Sequence, residues 1–66
     1  MAKSNNVKQE GFEVVNRAGY TLPIFVIQEG TLTQVVLNSG ESAKTESVTE
    51  QLNKLVDKNL VKINEL

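Results

Sequence analysis

Leu22-Pro-Ile-Phe-Val-Ile-Gln-Glu-Gly-Thr-Leu-Thr-Gln-Val-Val-Leu37 is the stretch on which the fold turns. Two apolar runs rich in β-branched residues flank Gln28-Glu29-Gly30-Thr31. That arrangement reads as a tight hairpin, with residues 20–28 and 31–38 as its strands. Side chains alternate between the two sides of an extended strand. Leu22, Ile24 and Val26 therefore face one way, and Phe25 and Ile27 the other. Pro23 cannot donate to a ladder, which places it at an edge, a bulge or a strand start.

The neighbouring segments extend the pattern. Residues 12–16, Phe-Glu-Val-Val-Asn, form a further strand, closed by a turn over Asn16-Arg-Ala-Gly19. Asn38-Ser-Gly-Glu41 is a second strong turn, and residues 42–46 are polar enough for a short edge strand. Then the period changes. Val48, Leu52, Leu55 and Val56 make one helical stripe over 48–56. Ser47-Val-Thr-Glu50 matches a capping box, and Glu46 and Glu50 favour the positive helix end. Lys58 meets the negative end, Asn59 suits the left-handed cap position, and Leu60 folds back on the last turn. Residues 60–63 are a candidate final strand. The pattern predicts an α+β fold, a small antiparallel sheet of 3–5 short strands with one C-terminal helix packed on it. It does not distinguish an open sheet from a sandwich or a small closed barrel.

Sixty-six residues make one domain, with residues 1–10 as a polar N-terminal arm and 11–66 as the folded part. A chain this short buries only about 60% of its unfolded surface. Small folds usually add disulfides, a metal or association. The sequence has neither Cys nor His, so disulfides and Cys/His zinc sites are excluded. Residues 12–15, 22–27 and 32–37 carry apolar side chains on both faces, and one helix covers one face only. The surplus points to a protein partner or to self-association. Candidate partner-facing residues are Val7, Phe12, Tyr20, Phe25, Ile27, Val35 and Leu37. Val26→Asp and Val36→Asp are expected to disrupt folding, Phe25→Ser to weaken association if Phe25 faces a partner, and Ser47→Ala to cost about 1 kcal/mol.

No catalytic, cofactor-binding or metal-binding residue is assigned. Nucleophile–base pairs lack their His and Cys. No G-x-S-x-G elbow, phosphate-cradling Gly loop or acidic calcium loop occurs. The expectation is a protein that is not an enzyme, with no cofactor and no small-molecule substrate. Seven Lys/Arg and eight Asp/Glu give a net charge of −1, with the basic residues scattered, a poor footprint for nucleic acid. The longest apolar run falls far below the roughly 20 residues of a membrane span, and the N-terminus lacks a signal-peptide core.

Val14-Val15-Asn16, the turn Leu37-Asn-Ser-Gly-Glu-Ser42 and the ending over 52–63 resemble small virion accessory proteins of tailed bacteriophages, of the decoration, cement and connector-associated type. Asn59 stands where the ending "Leu-x-x-Lys-Gly-Leu-Val-x-Ile" has Gly. The resemblance implies a virion structural protein present in many copies that binds and stabilises capsid or connector subunits. The residues suggest strand addition at 31–38 or 42–46 as its means, with the arm widening the grip. The alternative from the same apolar surplus is a small cytoplasmic adaptor for a protein partner. Residues 48–63 also look like the recognition helix and wing of a winged-helix DNA-binding protein. Against that reading, two preceding helices are missing, and Lys54 and Lys58 are offset by Glu50 and Asp57.

Overall fold

Among the described residues, five strands and one helix follow in the order β1 (Phe12–Asn16), β2 (Leu22–Gln28), β3 (Thr31–Leu37), β4 (Ser42–Thr45), α1 (Glu50–Asp57) and β5 (Val61–Glu65). The computed structural model describes residues 11–66, so the expected arm over 1–10, with Val7, lies outside the described residues. The α+β class is as expected: small antiparallel sheets with one helix near the C-terminus packed against the strands. The strands divide into two sheets rather than one. A three-stranded sheet has the order β4-β1-β5, and β2-β3 stands as a separate hairpin.

The hairpin forms where its turn chemistry directs. Glu29 and Gly30 both take positive φ, 53° and 74°, the signature of a two-residue turn whose twist matches the strands. Gln28 then lies opposite Thr31, and the register runs through Ile27↔Leu32, Phe25↔Gln34 and Pro23↔Val36 to Leu22↔Leu37. In the other sheet, β1 pairs antiparallel with β4 on one side and β5 on the other.

One core joins the two sheets and the helix. It contains Val14 from β1, Leu22, Ile24 and Val26 from β2, Leu37 from β3, Leu52 from α1 and Val61 from β5. Val35, Ala43, Val48, Leu55, Leu60 and Ile63 pack against it. The inner face of the hairpin is thus covered jointly by the helix and the second sheet.

Asn16, only 1% exposed, ties the two sheets where β1 ends. Its amide Nδ2 donates to the Tyr20 carbonyl at 2.8 Å and the Leu37 carbonyl at 2.9 Å, and its Oδ1 accepts the Ala18 N–H at 2.8 Å. A buried amide with three partners specifies the turn into β2, since each partner would otherwise be a desolvated orphan.

The helix differs from expectation at its start. Its N-cap is Thr49, whose hydroxyl accepts the Leu52 N–H at 3.2 Å, and not Ser47. The helix consequently begins two residues later than the apolar stripe predicts, and Val48 packs against the core from outside it. Tertiary bonding decides the matter. The Ser47 carbonyl is taken by the Thr45 hydroxyl at 2.7 Å, while the Thr49 hydroxyl also donates to the Phe25 carbonyl at 3.1 Å. Glu46 likewise is not at the helix end. Its carboxylate accepts the turn amides of Glu29 at 2.6 Å and Gly30 at 3.1 Å. The C-terminus agrees with the sequence. Asn59 has φ 62°, and Asn59 and Leu60 donate to the Val56 and Leu55 carbonyls, each at 2.9 Å. These two bonds make a Schellman motif with Asn in the place of Gly.

Candidate functional site

In an antiparallel pair, residues flanking a two-residue turn exchange both backbone bonds, and every second residue repeats this. From Gln28–Thr31 it follows that Leu22, Ile24, Val26 and Gln28 spend their backbone groups on β3. Pro23, Phe25 and Ile27 turn theirs to the other edge, and that edge is fully occupied. Gln51 Nε2 donates to the Pro23 carbonyl at 3.3 Å, and Gln51 Oε1 accepts the Phe25 N–H at 2.9 Å. The Thr49 hydroxyl takes the Phe25 carbonyl. The Thr45 hydroxyl accepts the Ile27 N–H at 2.8 Å, and the Glu46 N–H donates to the Ile27 carbonyl at 2.8 Å. Pro23, lacking an N–H, sits where no donor is needed. Helix start and linker together close the β2 edge.

The β3 edge is treated otherwise. The same parity turns the backbone N–H and C=O of Leu32, Gln34 and Val36 away from β2. Among the described residues nothing bonds them. Natural edge strands are commonly blunted by charge, Pro, Gly bulges or short length. Thr-Leu-Thr-Gln-Val-Val-Leu over Thr31–Leu37 has no charge, Pro or Gly across its seven residues.

Side-chain placement adds to this. On the hairpin's outer face the pairs Pro23–Val36, Phe25–Gln34 and Ile27–Leu32 lie side by side. Leu32 and Val36 are each 60% exposed and Phe25 36%. Five apolar side chains surround one Gln, next to an open strand edge. Such a surface can bury apolar area and accept a strand at once.

The expected partner-facing residues divide accordingly. Phe25 and Ile27 lie together on this outer face. Tyr20 is exposed in the β1–β2 connection, at the hairpin end remote from the turn. Phe12 is half-buried on the core-facing side of β1, opposite Thr45 and Glu65. Val35 is half-buried against the core, and Leu37 is a core residue at 4% exposure. Neither Val35 nor Leu37 shares a face with Phe25. Leu32, Val36 and Pro23 take their place. The signal was present in the chain: pairing Gln28 with Thr31 forces Ile27 opposite Leu32, which puts Leu32, Gln34 and Val36 on Phe25's side. For the same reason Val36→Asp no longer buries a charge, whereas Val26, fully buried, still meets that expectation.

A second feature is a pocket of about 600 Å³ lined by Arg17, Val56, Asn59, Val61, Lys62 and Ile63. Its described lining offers two cations, Arg17 and Lys62, and one amide, Asn59. Among the described residues no group of three His, Cys, Asp or Glu is placed to hold a metal ion, and no helix is long and apolar enough to cross a membrane. Comparison with family models, with curated proteins and with solved structures finds no match for this chain.

Proposed function

We propose that this protein acts by docking. It is a non-enzymatic assembly protein that binds a protein partner through the outer face and open edge of the β2–β3 hairpin. The setting we propose, from the resemblance of its turn and C-terminal ending to phage accessory proteins, is a virion. Capsid or connector subunits would be the surface that it stabilises. One observation carries the docking reading: the face formed by Pro23, Phe25, Ile27, Leu32 and Val36 is apolar while its neighbouring strand edge is unbonded among the described residues.

The mechanism follows from those two properties. Leu32, Val36 and Phe25 lose water against the partner, at roughly 25 cal/mol per Å² of apolar area removed. Backbone groups of Leu32, Gln34 and Val36 fix the direction of approach. A repeated site around a symmetric shell converts modest single contacts into tight retention. The test is co-sedimentation of the full chain with the shell proteins of its source particle, wild type beside Leu32→Ser/Val36→Ser. Binding by the wild type and none by the double variant, with unchanged circular dichroism, supports the reading. Equal binding by both would move the site off the hairpin.

A further inference from the structure

We propose that the β3 edge pairs with the β3 edge of a second copy of this chain, antiparallel and centred on Gln34, to give a continuous sheet β2-β3-β3-β2. The proposal rests on the docking reading above but gives the β3 edge to a second copy, so that the outer faces alone meet the shell.

Self-complementarity is what points to a second copy. A two-fold axis through Gln34 puts Leu32 opposite Val36 of the second copy, Gln34 opposite its own equivalent, and Val36 opposite Leu32 of the second copy. These are the three residues whose backbone groups face outward, so these three pairs are of the bonded kind, about six hydrogen bonds in all. Shifting the register by one residue would pair outward groups with residues already bonded inside their own hairpin. Side chains agree with the backbone. Apolar meets apolar at both ends. At the centre two amides meet, each carrying a donor and an acceptor, so the group is its own complement.

Charge does not oppose the contact. Thr31–Leu37 is uncharged, and the nearest carboxylate at one end, Glu29, comes beside Ser39 of the second copy rather than beside another acid. The chain carries a net charge of only −1, and a small net charge leaves little long-range repulsion between copies. The two-fold operation is closed, so the contact yields a dimer and not a filament. It also uses up the edge that would otherwise template open-ended growth. In the dimer the two outer faces join side by side into one larger apolar surface, ten side chains from Pro23, Phe25, Ile27, Leu32 and Val36 of each copy. The dimer would be the unit that docks.

Sedimentation velocity of the full chain across a micromolar-to-millimolar series tests this, with Gln34→Lys and Gln34→Pro beside the wild type. Lysine sets like charges across the axis. Proline removes one outward N–H and leaves the β2–β3 bonds alone. A wild-type dimer that weakens about a hundredfold in Gln34→Lys, with melting temperatures preserved, is the expected result. Because Gln34→Pro also perturbs strand geometry, Gln34→Lys and a cross-linking readout keep the test independent of folding. The chain has no Cys, so Gln34→Cys should cross-link to itself and Lys44→Cys should not. A dimer that persists in Gln34→Lys overturns the proposal, as does a wild type that stays monomeric at millimolar concentration. A monomer that still binds a hydrophobic dye, and loses it in Leu32→Ser/Val36→Ser, overturns the dimer alone. A monomer that binds no dye overturns the docking reading with it.

Discussion

Each of the two sheets turns one face to the common core and one to solvent, and the two solvent faces are built differently. On the three-stranded sheet the outward positions are Glu13, Val15, Ser42, Lys44, Lys62 and Asn64, with Ser42 donating to the Glu13 carboxylate across the strands at 3.2 Å. On the hairpin they are Pro23, Phe25, Ile27, Leu32, Gln34 and Val36. One apolar residue in six stands against five in six. A mixed polar face keeps a half-buried antiparallel sheet soluble, and the first sheet obeys that rule. The hairpin breaks it. Its two edges repeat the contrast, since β2 is closed by Gln51, Thr49, Thr45 and Glu46 while no described residue bonds the β3 edge. The outer edge of β5 is likewise unbonded among the described residues, but it carries Lys62 and Glu65; at β3 an uncharged edge adjoins an apolar face, and the proposed docking rests on that pairing.

Substitutions can break this contrast from either side. Val26→Asp strikes the shared core and should abolish folding, at more than about 4 kcal/mol, because the charge has no partner inside. Circular dichroism of the purified variant would read the loss, and a folded Val26→Asp would mean that the inner and outer faces have been exchanged. Asn16→Ala comes next, at about 2–3 kcal/mol, since two carbonyls and one N–H lose their partners at the junction of the sheets. Urea melts measure it. Thr49→Ala should cost about 1–2 kcal/mol, removing a helix cap and a bond to the β2 edge together. Ser47→Ala should stay within about 0.5 kcal/mol. Equal costs at the two positions would return the cap to Ser47. The most informative variant leaves stability nearly alone: Val36→Asp should change it by no more than about 1 kcal/mol while abolishing dye binding and association.

Much of the architecture was legible in the chain. Gln28-Glu-Gly-Thr31 marked the hairpin, Asn59 the helix end, and the 42–45 strand its edge position, each through a local preference of the backbone. Legibility failed where a choice depended on distant partners. Ser47 and Thr49 are both hydroxyls ahead of an apolar stripe, and only Thr49 stands where it can cap Leu52 and reach Phe25 at the same time. Glu46, read locally, belongs to the helix dipole; in space it lies against the amides of the hairpin turn, seventeen residues away in sequence from Glu29. Alternation alone cannot say which parity of β3 matches which parity of β2, and so it does not separate the inward Val35 and Leu37 from the outward Leu32 and Val36. The pairing across the turn can.

The sequence by itself determined that strands would flank 29–30, that a single helix would follow at the C-terminus, and that apolar surface would exceed the cover which that helix provides. Those are local matters, set by φ/ψ preference and by period. Only the tertiary structure decided where the excess lies. The β4-β1-β5 sheet shares with the helix the task of covering the hairpin's inner face, which concentrates the uncovered remainder on Phe25, Leu32, Val36 and their neighbours. Which face a strand buries depends on what packs against it, and that information resides in contacts between residues far apart in the chain.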